Sequence, residues 1–176
     1  MPPAPHEAPP YYFTYINQAP PGDILPVLTK QLDSAPALFH TVTDENSLHS
    51  YAPGKWTIRQ VLNHLNDTER VLSLRAFWFA RGFDSPLPSF DQEICSASAA
   101  ANAIPWSRHI EEFRAIRSAT IAFFENLPPE AWTRSGIASD NSFTVRAMAY
   151  IIAGHVAHHT TILQERYLKP VLRTAM

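Results

Sequence analysis

From Asp23 onward, apolar residues recur at intervals of three and four: Ile24, Val27, Leu28, Leu32, Leu38, Phe39 and Val42. That spacing predicts a helix with one buried face. Pro26 falls in the first turn, where its missing N–H is harmless, whereas Pro36 is expected to kink or interrupt the helix. The segment YAPGKW, 51–56, reads as a turn. Thr57 with Gln60 three residues on forms a capping box, which opens a second helix from about Ile58 to Arg81 with Gly82 as its stop. Residues Phe83 to Ile104 read as a long connection with a short helix among the alanines, and connections of that length are often functional. Pro105 opens a third helix. Its stripe is Ile110, Phe113, Ile116, Thr120, Ile121 and Phe124, and LPPE ends it. Residues 130–143 read as a loop. The fourth helix runs from about Thr144 to Leu168 and is closed by Pro170. No segment alternates in the manner of a strand, and no repeat is evident. Four long amphipathic helices predict an all-α four-helix bundle.

Residues 1–22 break this pattern, because their many prolines suppress helix and cannot donate to a sheet. They are expected to form an extended Pro-rich arm, with Tyr11, Tyr12, Phe13 and Tyr15 pinning it across a single domain of residues 23–176. The start MPPAPHEAPPYYF lacks the basic and apolar regions of a signal peptide. No apolar run is long enough to cross a bilayer. The chain has 176 residues, enough for one domain with a real core, and a formal charge of −2. Lys and Arg form no basic run, which argues against nucleic acid or an anionic membrane as partner. The single cysteine, Cys95, permits no internal disulfide and suggests a reducing, cytoplasmic setting.

The chemistry concentrates in histidine, of which there are eight. On the fourth helix, with about 100° per residue and His155 set at zero, His159 falls near about +40° and His158 near about −60°. Met148, Ile152, Val145 and Leu163 centre the apolar face on the positive side, so His155 and His159 point inward and His158 sits at the margin. Two imidazoles one turn apart can grip a divalent metal. The alternative is a pair of core-edge histidines bonded to other side chains, since chance pairs at this spacing are common. His64, on the second helix, lies on or beside the stripe marked by Val61 and Leu65. Three histidines with an open position is the pattern of a catalytic metal. His6, His40, His49 and His109 have no partner at ligand spacing and read as ordinary surface or satisfied histidines.

These residues carry a resemblance. Trp56-Thr57-Ile58-Arg59-Gln60-Val61-Leu62-Asn63-His64-Leu65-Asn66-Asp67-Thr68-Glu69-Arg70 resembles the second-helix signature of the DinB/YfiT-like metalloenzyme family, continued by Arg75 and Ala80-Arg81-Gly82. Ile152-Ala153-Gly154-His155-Val156-Ala157-His158-His159 is similar to its last-helix motif. The likeness spans about Asp23 to Leu168, and the family is distinct from the DNA polymerase that shares the DinB name. It implies an up-down-down-up order of helices and a divalent metal, zinc or nickel, held by His64, His155 and His159. It also implies hydrolase or thiol-dependent transferase chemistry, and a homodimer.

Three neutral imidazoles leave the ion its full charge. That suits activation of water, or of a low-molecular-weight thiol as co-substrate, toward a small molecule. Asp67 and Glu69 are candidates for a general base or for orienting a ligand imidazole, Asp67 being nearer to the face of His64; the alternative for both, which the sequence favours slightly, is a solvated helix surface. Arg75, about three turns on from His64, is a candidate for binding a substrate carboxylate or for pairing with a buried acid. There is no Gly-rich phosphate loop, no His-Glu-x-x-His and no di-iron Glu-x-x-His pair. Cys95 in a loop reads as inert, and Phe77, Trp78 and Phe79 as core or dimer surface. The competing reading is a non-catalytic, stress-associated bundle with a structural or vestigial metal site.

Overall fold

A computed structural model describes residues 1–168. The long helices are α2 (Ile24–Phe39), α3 (Ile58–Ala80), α5 (Trp106–Glu125) and α6 (Val145–Ile162), with short helices α1 (Phe13–Ile16) and α4 (Gln92–Ser98). A π-helical turn, Leu163–Leu168, prolongs α6. Pro170, the expected stop, lies outside the described residues. α3 packs against α5 and α6, and α2 packs against the same two helices, which sets α2 and α3 on one diagonal. At one end Trp106 Nε1 donates to Phe39 O at 3.1 Å, and Arg59 Nη1 donates to Asn102 O and Ile104 O at 3.0 and 2.8 Å. At the other end Arg134 donates to Ala80 O, and its own carbonyl accepts from Val145 N at 2.9 Å.

The expectation of an all-α fold is corrected by a small antiparallel hairpin, β1 (Ser135–Ala138) paired with β2 (Asn141–Thr144). Ser139 and Asp140 both have positive φ, 50° and 59°, as the tight two-residue turn of a right-twisted hairpin requires. Strands of four residues are too short to leave an alternating pattern. Pro36 does not interrupt α2 as expected: the helix runs through it and ends at Phe39, so the lost N–H falls in the last turn.

The apolar core has two clusters. One gathers Leu28, Leu72, Ile121 and Ala153, and the other Ala35, Leu65, Phe113 and Val156. On every long helix a polar residue or backbone group fills the gap between them. Arg117 donates from Nε and Nη2 to both oxygens of Glu69, at 2.8 and 2.7 Å, and from Nη1 to Gln31 Oε1 at 2.7 Å. Gln31 Nε2 in turn donates to Ala153 O at 2.8 Å. This brace joins all four long helices. It also shifts the expected α5 stripe, in which Ile116 is only half-buried while Arg117 is fully buried.

The first 22 residues are not the extended arm expected from their prolines. They make helical turns over Pro10–Tyr12 and Phe13–Ile16 and dock on α6. Glu7 anchors them: its buried carboxylate accepts from Ala4 N at 2.8 Å, Thr144 Oγ1 at 2.7 Å and Arg146 Nε at 3.0 Å. Gly154 permits the approach, because a Cβ there would collide with the backbone carbonyl of Tyr15. The opening prolines thus delay helix only until Pro10, which takes the first position of its turn, where a missing N–H does no harm.

Candidate metal centre and the cleft beside it

The register of α3 is fixed at its start. Thr57 Oγ1 accepts from Gln60 N at 3.1 Å and Gln60 Oε1 accepts from Thr57 N at 2.9 Å, the expected capping box. Two turns on, His64 faces α6, whose own start is capped by Thr144 accepting from Ala147 N. His64 and His155 bring their Nε2 atoms to 3.1 Å. The ring of His159 lies 5.0 Å from that of His64 and 4.5 Å from that of His155. One nitrogen from each of the three falls within 4.8 Å of the others. His158 is turned aside, its Nδ1 accepting from Gln18 Nε2 at 3.1 Å.

Burial holds all three imidazoles neutral at pH 7. It pushes His64 down to about 4. It pushes His159 to about 3, with help from His64 and His158, and His155 well below its usual value, with help from its three histidine neighbours. Neutral imidazole is the form that ligates. Thr68 Oγ1 sits 3.3 Å from Nδ1 of His64, a contact that orients the ring with its Nε2 toward His155. His159 Nδ1 is buried with no hydrogen-bond partner. Two Nε2 atoms 3.1 Å apart and a third imidazole nitrogen within 4.8 Å suit a shared cation: tetrahedral coordination at about 2.0–2.1 Å sets neighbouring nitrogens a little over 3 Å apart. Tyr15 stands edge-on to His155 at 5.2 Å and the Trp56 ring covers His64 at 5.0 Å, so aromatic groups wall the trio.

A cleft of about 160 Å³ opens from His64 and His155 along α3, with Tyr12, Tyr15, Thr68 and Arg75 among its walls. Arg75 is buried, and its Nη2 donates to Pro88 O and Ser139 Oγ, both at 2.9 Å. Pro88 belongs to the long connection after α3. That connection packs beside the hairpin through hydrogen bonds from Leu87 N to Ile137 O and from Ser139 N to Leu87 O.

The structure brings His64, His155, His159 and Arg75 to one region but not Asp67. Asp67 accepts from Asn63 Nδ2 at 2.8 Å and lies toward Arg70 and α5, outside the residues lining the cleft. Burial raises its pKa, against the pull of Arg70. Glu69 is committed to Arg117. His109, read as surface or satisfied, is fully buried, its Nε2 bonded to Ala101 O at 3.0 Å and its Nδ1 unpartnered. Cys95 lies half-buried in α4. Ser139 and Gln18 were invisible to sequence reasoning, since only tertiary placement brings them here. The tyrosines of the first segment were visible as aromatic anchors but not as cleft walls.

Comparison with known proteins gives a consistent picture. The model of the DinB superfamily matches residues 28–163. Among solved structures, YfiT from Bacillus subtilis, described as a probable metal-dependent hydrolase with an unusual four-helix bundle topology, superposes with a TM-score of 0.63 at 20% identity, over 80% of this chain and 84% of that one. The mycothiol-dependent maleylpyruvate isomerase superposes with a TM-score of 0.67 at 11% identity, over 82% of this chain. The match spans 61% of the isomerase. No curated protein matches the sequence.

Proposed function

Because the chain belongs to the DinB superfamily, we propose that it is a metal-dependent enzyme, a hydrolase or a thiol-dependent transferase acting on a small molecule, with His64, His155 and His159 as ligands. The convergence of three neutral imidazoles from α3 and α6, with Nε2 atoms 3.1 Å apart and an orphaned nitrogen on His159, carries the reading. A zinc or nickel ion bound there supplies Lewis acidity for activating water or a thiol near neutral pH. Thr68 orients the ring of His64 through Nδ1, while Trp56 and Tyr15 limit the access of bulk water. Arg75 binds the substrate at the far end of the cleft. The base role considered for Asp67 finds no support in its position beside Asn63 and Arg70.

The reading extends to an up-down-down-up order of the four helices. It is supported by the end of α2 and the starts of α3 and α5 sharing one end of the bundle, and by Tyr167 Oη donating to Trp56 O. It extends also to a homodimer, supported by exposed Leu74, Phe77 and Phe83, and to a reducing cytoplasm, supported by the free Cys95. No described helix is long and apolar enough to cross a membrane.

The test is a screen of zinc- or nickel-loaded protein against activated esters and amides, and against electrophiles with a low-molecular-weight thiol. Turnover that disappears on chelation and in His155→Ala is the expected result. Silence across the screen with the ion bound favours the stress-associated, non-catalytic bundle.

A further inference from the structure

Three arginines are buried among the described residues: Arg59, Arg75 and Arg117. Two of them meet a carboxylate, Arg117 at Glu69 (2.7 Å) and Arg59 at Asp44 (3.1 Å). Among the described residues no carboxylate lies within 4.0 Å of Arg75. Its hydrogen bonds go to neutral oxygens, Pro88 O and Ser139 Oγ, and both use Nη2. A guanidinium keeps its proton in proteins, and a buried charge without a counter-charge is strongly unfavourable. Arg75 nevertheless lines a cleft, and it does so on the same wall of α3 as His64. Burial lowers its pKa, and the hydroxyl of Tyr12 beside it works the other way, favouring the charged form.

We propose that this end of the cleft is a carboxylate subsite: the molecule handled at the three histidines carries a carboxylate that Arg75 receives, with the hydroxyls of Ser139 and Tyr12 around it. Among the described residues that line the cleft, Arg75 is the only Lys or Arg. With Nη2 taken by Pro88 and Ser139, Nε and Nη1 are left to donate, and with the single charge they match a carboxylate; a phosphate dianion would find no second cation. Val71, Leu72 and Ile151 form an apolar stretch of wall. The space, about 160 Å³, is well below the ~300–1,000 Å³ of pockets for drug-sized ligands, so the molecule is compact. About 16 Å of helix rise separates residues 64 and 75, shortened by the lean of a long side chain toward the start of its helix. The substrate class is therefore a short carboxylic acid whose reacting group lies at the end away from the carboxylate.

This deepens the proposed function, and as a statement about substrate it rests on that reading; carboxylate binding by itself needs no metal. The experiment titrates succinate, benzoate and inorganic phosphate into the full chain, metal-free and zinc-loaded, followed by intrinsic tyrosine and tryptophan fluorescence. Saturable binding of succinate or benzoate is expected in both forms, with phosphate weaker. Arg75→Met should weaken carboxylate binding about tenfold or more while keeping its zinc, since a hydrogen bond to a charged group is worth about 1.5–3 kcal/mol. Should that variant fail to fold, Arg75→Lys decides, with an expected loss of about threefold or more because the charge stays while the guanidinium's fixed, multiple donors go. His159→Ala should lose zinc yet still bind the carboxylate, so the two readings fail separately. Unchanged affinity in the folded Arg75 variant, no saturable carboxylate binding in the parent, or a preference for phosphate would each overturn the subsite.

Discussion

Arg117 and Arg75 are both buried, and both bond through Nη2, but their surroundings differ in kind. Arg117 sits in the layer between the two apolar clusters and finds Glu69 and Gln31 in reach, so every charge there is answered within the chain. Arg75, His64 and His155 line the cleft, with His159 beside the two imidazoles, and among the described residues no carboxylate pairs with any of them. The first region spends its polar groups on joining four helices. The second leaves charge and lone pairs unanswered, and those are the groups free to meet something from outside. Burial alone therefore does not separate structural from functional polar residues in this bundle; the state of their partners does.

The comparison predicts a graded set of responses. The largest concerns acid. The folded histidines have depressed pKa values, about 4 for His64 and about 3 for His159, so between those values and about 6.5 the unfolded chain binds more protons. Stability of the metal-free protein is therefore full above pH 6.5 and falls as pH drops toward 4, by about 1.4 kcal/mol per unit for each histidine that titrates only on unfolding. Urea melts across pH 7.5 to 4 measure this, and a flat profile would place the imidazoles in water.

Next comes the brace. Arg117→Met leaves Glu69 buried without its partner and should cost about 3–5 kcal/mol, and the double change with Glu69→Leu should recover much of it. A loss under about 1 kcal/mol in the single variant would erase the distinction between the two arginines. Gly154→Ala drives a methyl into the Tyr15 carbonyl and should cost about 1–3 kcal/mol, with faster proteolysis of the first 22 residues. The smallest effect belongs to Arg75→Met, within about 1 kcal/mol by the same melts, because losing its hydrogen bonds to Pro88 O and Ser139 Oγ is offset by removing a buried charge without a counter-charge.

The helical frame was legible because a period of 3.6 writes itself into sequence. The starts of α3 and α6, the stop at Gly82 and the inward aim of His155 and His159 all follow from spacing and capping. What spacing cannot encode is which long polar side chain finds a partner across the bundle. Arg117 is absent from the apolar stripe that includes Ile116, yet it is fully buried, and Glu69 looked like a candidate base until Arg117 claimed it. The hairpin escaped because four-residue strands leave no alternation. Its turn residue Ser139, together with Tyr12 from the first segment, reaches the cleft only through tertiary packing.

The central claim, one ion shared by His64, His155 and His159, is tested most directly by metal content after reconstitution with zinc and gel filtration. One zinc per chain is predicted for the parent and for His158→Ala, and none for His64→Ala, His155→Ala or His159→Ala. Loss of zinc in His158→Ala with retention in His159→Ala would contradict it.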